Sequence, residues 1–476
     1  MVFRGKPSKA CLQCRKRKLR CDLKRHSCSQ CIRAGLTCSG YRDTEQLQVR
    51  DESQRTRQKV LARFASISPI PLSVPLDERA RNAFFSHYVS GFTKTYDVLG
   101  PLYGRNDLES HLAASVDAVS LAFFSFHFSH EPASRIATEK YSTALPLLNA
   151  ALRSVPSATT DSTLLAVLLL DLFEKIINND PRSRVSWMSH VNGALALVKL
   201  RDAHQFENYT GLRLSSRLST NLLISCVAAD APVPSELVKL RSDLEDFLNK
   251  DDPKWRVSGL IVKFTRIRAL MQDECVLSPE LITRAAELDQ EFIALTKDMP
   301  PSWLYQRTYL DHNSERVFDK YFDIYHDHQI TQTWNVLRLM RILVNDLIQA
   351  QYAKDTSISP PSDPISCIQN DVAIVTIDSL TQDICASAPQ YVGLERRSYS
   401  EKQRLECYTL LLPLYAAGKY ASEASMIKPW VIKQLRIIHM EAGIRNANAV
   451  ADLLDRADNT SVWSVYTMLG SYAFAA

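Results

Sequence analysis

Six cysteines within the first 38 residues, spaced Cys11-x2-Cys14-x6-Cys21-x6-Cys28-x2-Cys31-x6-Cys38, constrain this chain more than any other feature. They form two copies of one unit, CLQCRKRKLRC and CSQCIRAGLTC, each with a cysteine pair about one helical turn apart and a third thiol further on. Such repetition predicts a pseudo-two-fold core. A zinc ion takes four thiolates in a tetrahedron, so six thiolates serve two ions only when two sulfurs are shared. Cys11 and Cys28, which open the units, are the natural bridges. One ion would hold Cys11, Cys14, Cys21 and Cys28, and the other Cys28, Cys31, Cys38 and Cys11. A disulfide framework requires an oxidising compartment, whereas the opening residues MVFRGKPSKA carry charge and no apolar export core. A one-ion ribbon of four cysteines would leave two thiols idle. Apolar residues nearby are few, among them Leu12, Leu19, Leu23, Ile32 and Leu36, so the unit is expected to fold only with metal.

Charge separates this region from the rest. Residues 1–42 hold 12 lysines and arginines against one acid, Asp22, a net of +11, and the remainder of the chain is −6. Two zinc dications and six thiolates sum to −2, so the basic side chains leave a surplus after offsetting the cluster. In the first unit they crowd between the second and third cysteines as Arg15, Lys16, Arg17, Lys18 and Arg20; the second unit has only Arg33 there. A cationic surplus confined to one half predicts that this half faces a nucleic-acid backbone, and the same run is compatible with nuclear import.

The run ACLQCRKRKLRCD, with CSQC and GLTC after it, resembles the DNA-binding domain of the fungal Zn2Cys6 binuclear-cluster transcription factors. The resemblance implies that the helix after the second cysteine enters the major groove and that Lys18 reads a CGG triplet. A cation there can donate to the O6 and N7 acceptors of guanine. Arg17 is expected to assist with bases, while Arg15, Lys16, Arg20 and Lys24 contact phosphates. One departure stands out: the family usually has proline two residues before the fourth cysteine, where this chain has His26, so altered loop rigidity is expected.

Residues 43–76 are polar and charged, with Pro69, Pro71 and Pro75 and no sustained apolar period, and read as a linker. Heptad spacing connects Leu47, Gln54 and Leu61, too short a run to establish a coiled coil, so homodimerisation is left open. Residues 77–476 are long enough for a large core. Glycine totals 13 in the whole chain, where average usage would give about 33, and apolar spacing is helical. Ala80, Phe84, Tyr88 and Phe92 follow a candidate N-cap at Asp77, and Leu164, Leu165, Leu168, Leu172 and Ile176 share one side of a helix from about Asp161. VAIVTI at 372–377 is β-branched and could pass for a strand. The longest apolar run, Leu164 to Leu170, is far short of the ~18 residues that cross a bilayer.

Trp187-x2-His190-x2-Gly193-Ala194, with Leu195 and Arg201, is similar to a segment of the fungal-specific transcription factor domain. Further pieces follow in that family's order: Pro300 to Trp303, Trp334-Asn335-x2-Arg338-x2-Arg341, ASAPQYVG at 386–393, and Gly443-Ile444-x2-Ala447. The resemblance implies a large all-α regulatory domain behind a small Zn2Cys6 domain.

Other candidate sites are weaker. Trp187, His190 and Ala194 share a helical face, with Gly193 admitting a close neighbour, which reads as packing. His127-x2-His130 with Glu131 lacks a further metal ligand. Arg338 and Arg341 are expected to pair with acids of adjoining helices, and Cys226, Cys275, Cys367, Cys385 and Cys407 read as small buried hydrophobes. No G-x-S-x-G, P-loop, H-E-x-x-H or G-x-G-x-x-G occurs, so enzyme chemistry has no foothold. The expected function is a nuclear regulator of RNA polymerase II genes, bound to CGG-containing double-stranded DNA and to co-regulators or the transcription machinery. The alternative is a metabolite sensor or latent enzyme localised to chromatin by the cluster.

Overall fold

The computed structural model describes residues 7–44, 54, 56–59, 74–93, 96–177, 193–201, 203–271, 277–358, 364–456 and 460–470. The chain divides into two compact units, Met1–Ser73 and Val74–Ala476. Most of the segment read as a linker lies outside the described residues, and with it Leu47 and Leu61.

The small unit is built on two five-residue helices, α1 (Leu12–Lys16) and α2 (Ser29–Arg33). Its Leu12, Leu19, Leu23, Ile32 and Leu36 are each at least 40% exposed, while Cys11, Cys14, Cys28 and Cys31 are buried. Sulfur takes the place of hydrocarbon in this core.

Among its described residues the large unit is helical, as its low glycine content and apolar spacing predict, apart from one short hairpin. Helix α3 (Leu76–Ala83) runs into a wider-wound turn, Phe84–Ser90. The stripe Ala80, Phe84, Tyr88 and Phe92 is buried as predicted. The predicted N-cap is corrected: Pro75 holds that position without a side-chain cap, and Asp77 lies in the first turn, where its charge complements the helix dipole. Helices α4 (Ser110–His127), α5 (Glu131–Leu152) and α6 (Asp161–Ile177) pack with α3 into one group. α4 is buried almost all round, which suits its place between α5 and α6.

Helices α7 (Tyr209–Ala228), α8 (Ser235–Leu244) and α9 (Pro253–Leu270) follow; Asn208 and Asp252 cap α7 and α9. The second group holds α10 (Ser278–Lys297), the 31-residue α11 (His328–Ile358), α12 (Pro364–Ser387), α13 (Glu401–Tyr420), α14 (Ile427–Ala442), α15 (Arg445–Asp455) and α16 (Val462–Leu469). Gly418 of α13 lets α15 come close, since a Cβ there would lie 2.8 Å from Leu454 Cδ1. VAIVTI falls within α12. Its Ala373 and Ile377 continue a buried face with Leu380 and Ile384, and that helical spacing outweighs the strand preference of the β-branched residues.

The strands β1 (Gln306–Tyr309) and β2 (Tyr321–Ile324) pair antiparallel, with Gln306 opposite Ile324. Arg307 fastens this hairpin to α12: Nε donates to Asp323 Oδ1 at 2.8 Å and Nη2 to Asp383 Oδ1 at 2.8 Å. Arg341 pairs bidentately with Asp289 of α10 at 2.8 and 2.9 Å, as expected. Arg338 departs from expectation. Its nearest acid, Asp323 at 3.9 Å, is on a strand, and its guanidinium lies within 5.4–5.8 Å of the ring centres of Tyr305, Trp334 and Tyr325. In place of the predicted helix-to-helix ion pair, Nη1 donates to Asn335 Oδ1 at 3.0 Å and three rings add quadrupole attraction.

Trp187 and His190 lie outside the described residues, and Gly193 has no described atom within 4 Å of where a Cβ would stand, so the close approach expected there is absent among the described residues. Cys226, Cys385 and Cys407 are buried as expected, Cys367 is half-buried, and Cys275 lies outside the described residues.

Removing one member of a buried bidentate pair strands the other charge. Asp289→Ala should therefore lower unfolding stability by about 3–5 kcal/mol, whereas Lys263→Ala, which breaks the half-exposed pair with Glu291, should cost less than about 1 kcal/mol. Chemical denaturation of the two variants checks the contrast.

Candidate metal centre and nucleic-acid interface

The sulfurs converge as the spacing predicts. The Sγ atoms of Cys11, Cys14, Cys21 and Cys28 lie within 4.8 Å of one another, and so do those of Cys11, Cys28, Cys31 and Cys38. Cys11 and Cys28 belong to both sets. The pairs Cys14–Cys28, Cys11–Cys31 and Cys11–Cys28 are 3.5, 3.6 and 3.7 Å apart. A tetrahedron with Zn–S bonds of about 2.3 Å has edges of about 3.8 Å, so these residues fit two ions with two shared ligands. Without metal, burial raises the Cys14 thiol and pushes Cys31 up to about 12, whereas backbone hydrogen bonds from Cys28 and Gly40 lower Cys38 to about 6.

The two halves cap each other. The carboxylate of Asp22, next to the first unit's third cysteine, accepts from the Ser29 backbone N–H of α2 at 3.1 and 3.3 Å. The Ser39 hydroxyl, next to the second unit's third cysteine, accepts from the Leu12 N–H of α1 at 3.3 Å. Both helices thus have a first-turn donor satisfied by the opposite unit. Hydrogen bonds from Ser29 hold the Asp22 carboxyl below its ordinary range. The backbone closes behind the cluster, where Arg42 N–H donates to Lys9 O at 3.2 Å and the Tyr41 hydroxyl donates to Lys24 O.

Both helices end in the same double hydrogen bond. In α1, Lys18 N–H reaches Arg15 O at 3.3 Å and Leu19 N–H reaches Cys14 O at 2.9 Å; in α2, Gly35 N–H reaches Ile32 O at 3.1 Å and Leu36 N–H reaches Cys31 O at 3.0 Å. This termination needs a left-handed residue just past the helix. The second unit supplies Gly35 at φ 61°, and the first supplies Lys18 at φ 54°. A non-glycine residue there costs about 1–2 kcal/mol. Around it Lys16, Arg17, Arg20 and Lys24 are exposed and Arg15 is half-buried, so the cationic run of α1 faces outward while Cys14 points into the cluster.

His26 has φ 77°. Proline is locked near −65° and cannot adopt that conformation. The loop therefore follows a path closed to the usual family residue. The sequence pattern does not disclose φ, so neither this nor the strain at Lys18 was readable from it.

The His127 and His130 pair does not make a metal site. His127 Nε2 lies 2.5 Å from Glu401 Oε2, and His130 Nδ1 accepts from Ala133 N–H at 3.2 Å as the N-cap of α5. Among the described residues only the cysteine groups bring three or more ligands together.

Two substitutions test the loop geometry. Lys18→Gly should stabilise the metal-loaded small unit by about 0.5–1 kcal/mol, the left-handed penalty removed less the extra chain entropy of glycine. His26→Pro should destabilise it by about 1–3 kcal/mol, with His26→Gly tolerated. Resistance of bound zinc to a competing chelator reads all three.

A model of the fungal Zn(2)-Cys(6) binuclear cluster domain matches residues 9–48. A model of the fungal specific transcription factor domain matches residues 61–229, beginning within the segment read as a linker. No curated protein and no solved structure gives a significant match. Residues 9–48 therefore belong to the fungal Zn(2)-Cys(6) binuclear cluster family, which binds two zinc ions, and residues 61–229 to the fungal specific transcription factor domain family, making the protein a DNA-binding transcription regulator.

Proposed function

We propose that this protein regulates RNA polymerase II genes from the nucleus by reading CGG triplets through α1. Cys11 and Cys28 would be shared between two zinc ions, with Cys14 and Cys21 completing the ligands of one and Cys31 and Cys38 those of the other. Zinc held here would be structural, since four thiolates per ion would leave no position for water or substrate. Lys18 donates to guanine O6 and N7 with help from Arg17, and Arg15, Lys16, Arg20 and Lys24 hold phosphates.

The observation that carries the reading is the asymmetry between two matched halves. Both need a left-handed residue at the helix end, yet one uses glycine and the other places a lysine there, amid the exposed cations. Lys18, Leu23 and His26 are all left-handed in the small unit; of these Lys18 is the one at a helix end whose counterpart is glycine, and strain held at such a place supports a functional role. Residues 77–476 form the regulatory part, and their net negative charge disfavours contact with DNA. Pairing of two chains would set the spacing between triplets, and co-regulators would meet the helical part. Neither family that matches is enzymatic in general, which agrees with the absence of a catalytic motif from the sequence.

Elemental analysis should find two zinc ions per chain. Cys11→Ala and Cys28→Ala should disturb both ions, Cys14→Ala mainly one, and a wild-type value of one zinc per chain rejects the shared ligands.

Binding to matched and unrelated DNA separates the cations. Lys18→Ala should cost about 1–3 kcal/mol on CGG-containing DNA and little elsewhere. Arg20→Ala should weaken both alike and flatten the salt dependence. Equal losses on both DNAs for Lys18→Ala reject base reading.

A further inference from the structure

The helical unit holds a cavity of about 110 Å³ where α7, α9, α11 and α16 meet. Its walls include Leu223, Val257, Val336, Leu339, Met340 and Trp463. The hydroxyls in the wall are engaged within their own helices: Thr220 donates to Ser216 O at 3.2 Å, Thr333 to Gln329 O at 2.9 Å and Ser258 to Trp255 O at 2.6 Å. Ser258 also accepts from Arg241 Nη2 at 2.8 Å. No acid is among the lining residues, and Lys254 is the one charged side chain there.

Helical cores close-pack and leave few voids larger than a water molecule. A water placed here would want two to four polar partners, and these walls are mainly hydrocarbon: the hydroxyls already donate elsewhere, and Gln332 and Lys254, the other polar side chains of the wall, have interactions of their own. The favourable occupant is apolar. A cavity of about 150 Å³ lined by aliphatic and aromatic side chains stays dry and takes up benzene. This one is somewhat smaller and, unlike that cavity, opens to solvent: Lys254, Ser258, Ile261, Val336 and Trp463 at its wall are only half-buried.

We propose that this cavity is an effector site for a small uncharged aromatic molecule of about one ring. Val336 and Met340 would grip the ring from α11, Val257 from α9 and Leu223 from α7, with Trp463 as the remaining wall. The site joins α7, inside the segment matched as a fungal specific transcription factor domain, to α16, the last helix described. Occupancy therefore ties together helices far apart in sequence. The proposal does not depend on which DNA the cluster reads.

The test is calorimetric titration of the full chain with toluene, with sodium benzoate as the charged comparator. Val336→Phe and Val257→Phe each place a ring in the cavity from a different helix, so one variant suffices if the other fails to fold. Saturable binding to wild type, at least tenfold weaker in the folded variants with melting temperature maintained or raised, supports the site. No saturable binding up to the solubility of toluene overturns it. Binding that survives filling places the ligand elsewhere and also overturns it, and tighter binding of benzoate than of toluene overturns the uncharged class.

Discussion

Thiolate sharing is the constraint on which the small unit depends. Six sulfurs satisfy two tetrahedral ions only if Cys11 and Cys28 each serve twice, and both lie in the two converging sets. Everything else in the unit follows from that economy. The leucines and Ile32 remain largely exposed because no hydrocarbon core is needed. The helices stay at five residues because each has only to deliver a cysteine pair and turn away. Binding free energy for metal is then folding free energy, and the surface is released to carry cations.

The large unit solves the opposite problem. Its core is extensive, and the buried and half-buried cations at its edge are held in specific ways. Arg341 uses a bidentate acid, Arg338 uses three aromatic rings, and Arg307 bridges two carboxylates to fix a hairpin against a helix. Removing any of these would leave a charge or acid without compensation in a low-dielectric interior. Such contacts join elements distant in sequence, which simple apolar packing does without specifying register.

What the sequence discloses divides along physical lines. Ligand spacing depends on local chain geometry, so the two four-cysteine sets and their shared members were readable at once. Helical periodicity likewise identified the buried stripe of α3 and the helix from Asp161. VAIVTI misled because β-branching is a weak preference that packing overrides once Ala373 and Ile377 find a core to face. The hairpin at Gln306–Tyr309 and Tyr321–Ile324 was missed because its hold on the fold comes from Asp383, remote in sequence. Asp77 was assigned a cap that Pro75 occupies, an error of two residues typical of helix ends. Backbone angles at Lys18 and His26 leave no trace in composition or periodicity.

The reciprocal caps at Asp22 and Ser39 carry a consequence for assembly. Each helix begins on a group that the other unit contributes, so neither half has a complete folded form of its own. A peptide comprising one unit would hold three sulfurs and would lose the first-turn partner that the other unit supplies, leaving α1 only the Cys11 Sγ that accepts from Cys14 N–H and α2 no side-chain cap. The smallest cooperative object is the pair, and its formation is a single closure of a ring in which metal, loop and helix start arrive together. A chain arranged this way can diversify one half for recognition while the other preserves the geometry, because each half continues to complete the other whatever its surface carries.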